Sequence, residues 1–129
     1  MAQVLVVEDD TPTREVLRLM LEDAGHQVSE AINAPAAIDL LRAAPTSWVV
    51  LVDLLLGAES GDSLLRTAAQ DPALGSRHGY ILTTASTPSL VIPQTALLES
   101  LAVEVVYKPF EIDHLLAAVD RAAARAGRA

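Results

Sequence analysis

Cysteine is absent from the 129-residue chain, and aromatic side chains are scarce: one Trp, two Tyr and one Phe. The first absence excludes a disulfide scaffold, thiolate-bound zinc, thioredoxin-type redox chemistry and thiol nucleophiles, and it removes the usual signature of secretion. The second removes the stacking platforms that hold single-stranded nucleic acids. Bases are in the minority as well. Nine Lys and Arg face 17 Asp and Glu, giving a formal net charge of −8 and a pI near 4.6. A chain this acidic lacks the clustered cations that displace counterions from phosphate backbones, so direct nucleic-acid binding is not expected. Cations or a basic protein partner are. No apolar run approaches the ~18 residues that cross a bilayer, and a strand-like run follows Met1-Ala2-Gln3 with no basic leader. The expectation is a cytoplasmic protein, neither exported nor inserted in a membrane.

With 51% hydrophobic residues, a chain of this length buries roughly two-thirds of its unfolded surface, enough for one core without staples. Residues 1–129 are accordingly read as a single domain. Val4–Val7, Trp48–Val52, Tyr80–Leu82 and Val103–Val106 are short, rich in β-branched residues and apolar on both faces, as buried parallel strands are. Gln27–Ala31 alternates instead, which suits a strand nearer the sheet edge. Between these runs the period becomes helical: Val16, Leu17, Met20, Leu21 and Ala24 share one face, and so do Ile112, Leu115, Leu116 and Val119. Thr11 as N-cap, Pro12 at the first helical position and Gly25 just past the end frame the first helix. Weaker helices fit Ala34–Ala43, closed by Pro45, and Ser60–Gln70, closed by Pro72. The least defined stretch is Thr87–Ala102. Arginines in the Ala/Arg-rich end from Arg121 suit a helix carboxyl terminus.

Strand and helix alternating five times calls for an α/β fold: a doubly wound, five-stranded parallel sheet covered on both sides through right-handed crossovers, three layers in all. In such sheets ligands bind beyond the carboxyl ends of the strands. Each apolar run delivers a polar group there: Glu8-Asp9-Asp10 after the first, Asp53 after the third, Thr83-Thr84 after the fourth, Lys108-Pro109 after the fifth. Carboxylates brought within about 4 Å repel by roughly 4 kcal/mol per pair at an effective dielectric near 20, so they need a cation or protons. Magnesium fits best, since it takes oxygen ligands and is usually held by one or two carboxylates together with a phosphate oxygen. A carboxylate can also attack phosphorus and carry the group as an aspartyl-phosphate. Lys108 would offer a compact positive charge to a phosphoryl oxygen, and Thr84 a hydroxyl donor. Taken singly, an acid at a strand end is more often a solvated loop residue or helix cap, and Asp10 is read as one of these. Thr83 is expected to pack within its strand, since alternation turns it away from Thr84. His26, His78 and His114 lack metal-ligand spacing and read as packed or solvated, and Trp48 as the anchor of the third strand and a candidate fluorescence reporter.

At these residues the chain resembles the receiver domain of bacterial two-component response regulators, over essentially its whole length. The fragments that carry the resemblance are Val4-Leu-Val-Val-Glu-Asp-Asp10, Val50-Leu-Val-Asp53 with Gly61 eight residues on, Thr84-Ala85, and Lys108-Pro109-Phe110. The resemblance implies a flavodoxin-like sheet in the order 2-1-3-4-5. It implies Mg2+ held by Glu8, Asp9, Asp53 and the backbone carbonyl of Leu55, and Asp53 as phosphoacceptor from a sensor histidine kinase or phosphotransfer protein. Thr84 would be the switching hydroxyl with Ala85 beside it, and Lys108 the lysine, with a cis bond to Pro109. The implied role is a signalling phosphoacceptor that controls a downstream protein target and assists its own phosphorylation and dephosphorylation, rather than an enzyme proper. A homodimer, a stand-alone regulator and a piece of a longer protein all remain compatible with it.

Departures from the family pattern matter. Gly57 stands where the family has proline, which implies a more mobile loop. Val105 replaces the aromatic ring that usually moves with the threonine, so the two-residue switch is incomplete, and Tyr107 shares the face of Val105 without occupying its site. Pro88 and Pro93 predict a fourth helix that is short, displaced or late to start, because proline inside a helix costs ~3 kcal/mol. Among rivals, a flavodoxin needs a phosphate loop that Glu8-Asp9-Asp10 would repel. A haloacid-dehalogenase phosphatase needs two Asp and a Thr at spacings that Glu8, Asp10 and Pro12 do not supply, and there is no glycine-rich P-loop. The remaining rival is a degenerate receiver acting as a phosphorylation-independent interaction module.

Overall fold

Four runs that are apolar on both faces can lose water only if both faces are covered, and the chain meets that demand with helices above and below one sheet. The computed structural model describes residues 2–56, 59–60, 62–85, 95–109 and 111–126. Its elements are β1 (Gln3–Val7), α1 (Thr11–Asp23), β2 (Gln27–Ala31), α2 (Ala34–Ala43), β3 (Val49–Asp53), β4 (Leu55–Leu56), β5 (Glu59–Ser60), α3 (Asp62–Gln70), α4 (Pro72–Gly75), β6 (Gly79–Ala85), α5 (Thr95–Ser100), β7 (Glu104–Lys108) and α6 (Ile112–Arg125). The sheet runs β2-β1-β3-β6-β7 with every pair parallel. Setting aside the two-residue strands β4 and β5, this is the expected 2-1-3-4-5 order, with the alternating strand β2 at one edge.

Strand alternation sends successive residues to opposite helical layers. Leu5, Val7, Val50, Val52, Tyr80 and Leu82 pack with Ala37 and Leu41 of α2, Leu64, Leu65 and Ala68 of α3, and Leu74 of α4. Val4, Val6, Val49, Leu51 and Ile81 pack with Leu17 and Leu21 of α1 and with Leu115, Ala118, Val119 and Ala122 of α6. Each Val, Leu or Ile among them contributes about 1.5–3 kcal/mol on full burial, so the strands are fixed from both sides and their register is strongly determined. Trp48 packs half-buried against the first of these cores, at the start of β3 as expected.

Several boundaries differ from the sequence expectation. Asp10, not Thr11, caps α1: its carboxylate accepts from the Thr13 amide at 3.0 Å and from the Thr13 hydroxyl. An anion is the better cap because the helix dipole is positive there, and Thr11 becomes the first helical residue. Gly25 ends the helix at φ 97°. Its amide donates to Glu22 and that of His26 to Leu21, the paired bonds of a Schellman motif that needs this left-handed position. α2 keeps its expected bounds, with Asn33 capping the Ala36 amide. Ser60 does not join α3; it pairs antiparallel with Leu55 in the β4–β5 ribbon, and α3 starts at Asp62. Pro72 stops α3 by opening the one-turn helix α4, capped by Asp71. β6 and β7 extend past their apolar cores through Thr84-Ala85 and Tyr107-Lys108 because their ladder continues to the Ala85–Lys108 pair. Among the described residues α5 spans six, Thr95–Ser100. Gly57, Gly61, Pro88, Pro93 and Phe110 lie outside the described residues.

At the amino ends of the strands the polar groups are tied down. The Trp48 amide donates to Nδ1 of His78 at 2.9 Å, the Trp48 carbonyl accepts from the Gly79 amide, and the buried Tyr80 hydroxyl donates to the Leu74 carbonyl at 2.9 Å. Gly79 lets α6 approach the sheet: a Cβ there would stand 2.9 Å from the Ala122 carbonyl carbon and nearer still to its oxygen. Gly79→Ala should therefore lower stability by about 1–3 kcal/mol, read as a lower urea midpoint at unchanged slope.

His78 is only 3% exposed. Burial, then the neighbouring Arg77 charge, hold its imidazole below its ordinary value of 6.5; the nearby Leu41 backbone opposes this weakly, though Nε2 makes no hydrogen bond of good geometry. The unfolded chain takes up this proton near 6.5 and the folded one only at lower pH, so the His78 contribution is intact above 6.5 and is lost as pH falls from there toward the lowered folded value, at up to about 1.4 kcal/mol per pH unit. His78→Asn retains an acceptor for the Trp48 amide without the titration. The stability difference between the two proteins should shift in favour of the Asn variant as pH falls from about 7.5 to about 5.5, and equal slopes in urea titrations would refute the assignment.

Candidate functional site

The carboxyl edge of the sheet gathers charge where the amino edge gathers packing. Parallel register aligns Val7 with Val52, Asp53 with Thr83 and Ala85 with Lys108, so the polar residues that follow the apolar runs arrive side by side. Asp53 is the last residue of β3 and Lys108 the last of β7, with β6 between them. Lys108 reaches across that strand to place Nζ 2.5 Å from Oδ2 of Asp53. The Asp53 side chain is 12% exposed and that of Lys108 34%, so the pair is shielded from water on the carboxylate side more than on the ammonium side. The bond from Lys108 to Pro109 is cis, as the resemblance implied. Thr83 and Thr84 are both buried, Thr83 with its hydroxyl directed at the Val52 carbonyl, which accords with its expected place within the strand.

Glu8 is the electrostatic centre of the edge. Only 5% of the residue is exposed, and its carboxyl is pushed up to about 7, first by burial, then by the Asp53 charge and a side-chain hydrogen bond with Asp9; the Asp10 backbone and Lys108 pull the other way. Folding thus favours the protonated acid, and this group opposes folding increasingly as pH rises from 4.5 toward 7. A positive charge brought to the edge would relieve that cost. Asp9 is exposed at the turn, and Asp10 is held below the ordinary carboxylate value by its hydrogen bonds to the Thr13 side chain and amide, consistent with the cap role.

The structure therefore joins Asp53 to Lys108, sets the Glu8 carboxyl within electrostatic reach of Asp53 and hydrogen-bonds it to Asp9, and buries Thr84 on the intervening strand. It does not converge the acids into a finished cage: among the described residues no group of three or more Asp, Glu, His or Cys side chains stands ready to hold a metal. The donor chemistry nevertheless suits a hard divalent cation, since every candidate is an oxygen donor and Glu8 carries an unrelieved charge conflict. Leu55, two residues past Asp53, has its backbone in the β4–β5 ribbon opposite Ser60. Two of the histidines stay apart from the edge: His26 accepts from the Ala2 amide at 3.0 Å and His78 is buried at the opposite edge; His114 is exposed in the first turn of α6 and lines a surface pocket with Tyr107 and Pro109. Trp48 precedes β3, at the opposite end of that strand from Asp53.

One residue that the sequence reading passed over belongs to this edge. Arg14 in the first turn of α1 donates from Nη1 to the Glu8 carbonyl at 3.0 Å and pairs through Nε with Glu30 of β2 at 3.3 Å. A base in the first turn of a helix opposes the dipole, and that oddity was the signal available in the sequence.

Among the described residues no helix is long and apolar enough to cross a membrane. A family model described as "Response regulator receiver domain" matches residues 4–120. Protein Rrf1 of Nitratidesulfovibrio vulgaris is 30% identical over 123 residues, covering 95% of this chain and 83% of that protein. The virulence transcriptional regulatory protein PhoP of Salmonella typhimurium is 33% identical over 124 residues, covering 91% of this chain and 50% of that protein; the chain thus spans about half the length of this second relative. Among solved structures, the fold is shared with a CheY-like response regulator receiver domain protein of Methanospirillum hungatei, with a TM-score of 0.79, 24% identity and coverage of 95% of this chain and 94% of that one. It is shared too with a Francisella response regulator receiver domain, with a TM-score of 0.79, 22% identity and coverage of 97% and 98%. With the order 2-1-3-4-5 and the edge described above, these matches place the chain in the response regulator receiver domain family.

Proposed function

We propose that residues 1–129 form one receiver domain that works as a phosphoacceptor switch, with Asp53 as the acceptor. The observation that carries this reading is the Lys108 ammonium seated on the Asp53 carboxylate at 2.5 Å, beside a buried acid, at the edge where parallel α/β sheets bind ligands. The donor of the phosphoryl group is a phosphohistidine on a sensor histidine kinase or phosphotransfer protein. An Asp53 carboxylate oxygen attacks phosphorus in line while the P–N bond breaks and its electron pair returns to the imidazole. Lys108 then transfers its hydrogen bonding from the carboxylate to a phosphoryl oxygen, offsetting charge that spreads during transfer. Glu8, Asp9, Asp53 and the Leu55 backbone carbonyl are the groups that would hold Mg2+, which when bound supplies charge neutralisation to the same oxygens.

The phosphorylated carboxylate carries about −2 of charge. It draws the Thr84 hydroxyl and shifts a pre-existing equilibrium between two conformers, which controls binding of a downstream protein target or of a second copy of the chain. Val105 is half-buried and Tyr107 exposed on β7, so no aromatic ring at position 105 accompanies the threonine. The role is that of a cytoplasmic signalling module that assists its own phosphorylation and dephosphorylation. The lack of a finished three-acid cage among the described residues favours a second reading, a degenerate receiver that binds partners without phosphorylation.

Incubation with acetyl phosphate and Mg2+, followed by intact-mass measurement, separates the two. The switch reading expects one added phosphoryl group, none without Mg2+ and none on Asp53→Asn; labelling of that variant at the wild-type level would remove Asp53 from its role, and an unlabelled wild type would favour the degenerate receiver. Lys108→Ala should retain the fold by circular dichroism but slow formation and hydrolysis of the phosphorylated state by roughly a hundredfold. Wild-type rates in that variant would show that the ammonium is only a structural counter-ion.

A further inference from the structure

The acidic turn after β1 is pinned at more points than a surface turn requires. Its first residue is gripped on both backbone polar groups: the Glu8 amide donates to the Ala31 carbonyl of β2 at 3.0 Å, and the Glu8 carbonyl accepts from Arg14 Nη1 at 3.0 Å. Its last residue, Asp10, is fixed as the α1 cap. The Arg14 guanidinium is itself anchored, with Nε 3.3 Å from Glu30, and Glu30 is also approached by Arg18 at 3.8 Å. Only 14% of the Arg14 side chain is exposed. Its guanidinium meets the Glu30 carboxylate and the Glu8 carbonyl together, and Arg14 thus steadies the Glu8 backbone.

We infer that Arg14 is a positioning residue for the cation site: braced against Glu30, it holds the Glu8 peptide and so sets where the Glu8 and Asp9 carboxylates stand relative to Asp53. This rests on the reading of those acids as Mg2+ ligands. Groups that orient metal ligands without touching the metal typically cost ten- to a hundredfold in affinity when removed. The planar fork of Arg14 serves a carbonyl and a carboxylate at once, which the single ammonium of lysine does not reproduce.

The test is calorimetric titration with Mg2+ of wild type, Arg14→Ala, Arg14→Lys and Glu30→Gln, each with its thermal melting curve. The expected result is a dissociation constant raised by roughly tenfold or more in Arg14→Ala, little recovery in Arg14→Lys, and a smaller rise in Glu30→Gln, all at temperatures where the variants are folded. Should Arg14→Ala fail to fold, Glu30→Gln carries the test alone, because it leaves the guanidinium in place but unbraced. Wild-type Mg2+ affinity in the folded variants would overturn the positioning role while sparing the cation site. A wild-type protein that takes up no Mg2+ would overturn both.

Discussion

Parallel pairing of β1, β3, β6 and β7 is the constraint from which the rest of the molecule follows. Strands that run the same way end on the same side, so the residues after each apolar run have no choice but to meet. Here those residues are acids from two strands, hydroxyls from a third and an ammonium from a fourth. The two cores that flank the sheet make this meeting obligatory, because a slip of one residue in any strand would turn a row of buried aliphatic side chains from one helical layer to the other.

The energetic character of the edge follows from what burial does to like charges. Glu8 and Asp53 are both shielded from water, and among the described residues the Lys108 ammonium is the positive group seen against Asp53. The balance is taken by Asp53, whose contact with Lys108 is direct, and the residual conflict is left on Glu8, which responds by holding its proton more tightly. An edge built in this way has unspent affinity for positive charge.

Much of this was legible from residue pattern. Runs such as Val4–Val7 and Val49–Val52 announce buried parallel strands because both of their faces are apolar, and Pro12 and Gly25 mark helix ends by chemistry that hardly depends on tertiary context. The strand ends at Asp53 and Lys108 could be named for the same reason: a polar residue directly after an apolar run must lie at an edge. What failed to show was set by longer-range competition. Asp10 displaced Thr11 as the cap because a carboxylate suits the helix dipole better than a hydroxyl. Ser60 was drawn from a helical pattern into a ribbon by its partner Leu55, a pairing that periodicity does not record. Arg14 escaped notice because its meaning lies in two partners, Glu8 and Glu30, that the chain brings together only through the β1–β2 pairing.

The two edges of the sheet divide the labour. At the amino edge the polar groups discussed meet an uncharged partner or a close-packed neighbour, Nε2 of His78 excepted: Trp48 with His78, Tyr80 with Leu74, Gly79 against Ala122. Such contacts gain from being rigid and lose if anything moves. At the carboxyl edge the groups are charged, their partners are exchangeable, and their local rules conflict, which is where a departure from consistent local design is expected to mark function. Because β3 and β6 run through both edges, the rigid end holds the strands in register while the charged end is free to alter its hydrogen bonding. A change at the carboxyl edge therefore need not loosen the cores that flank the strands.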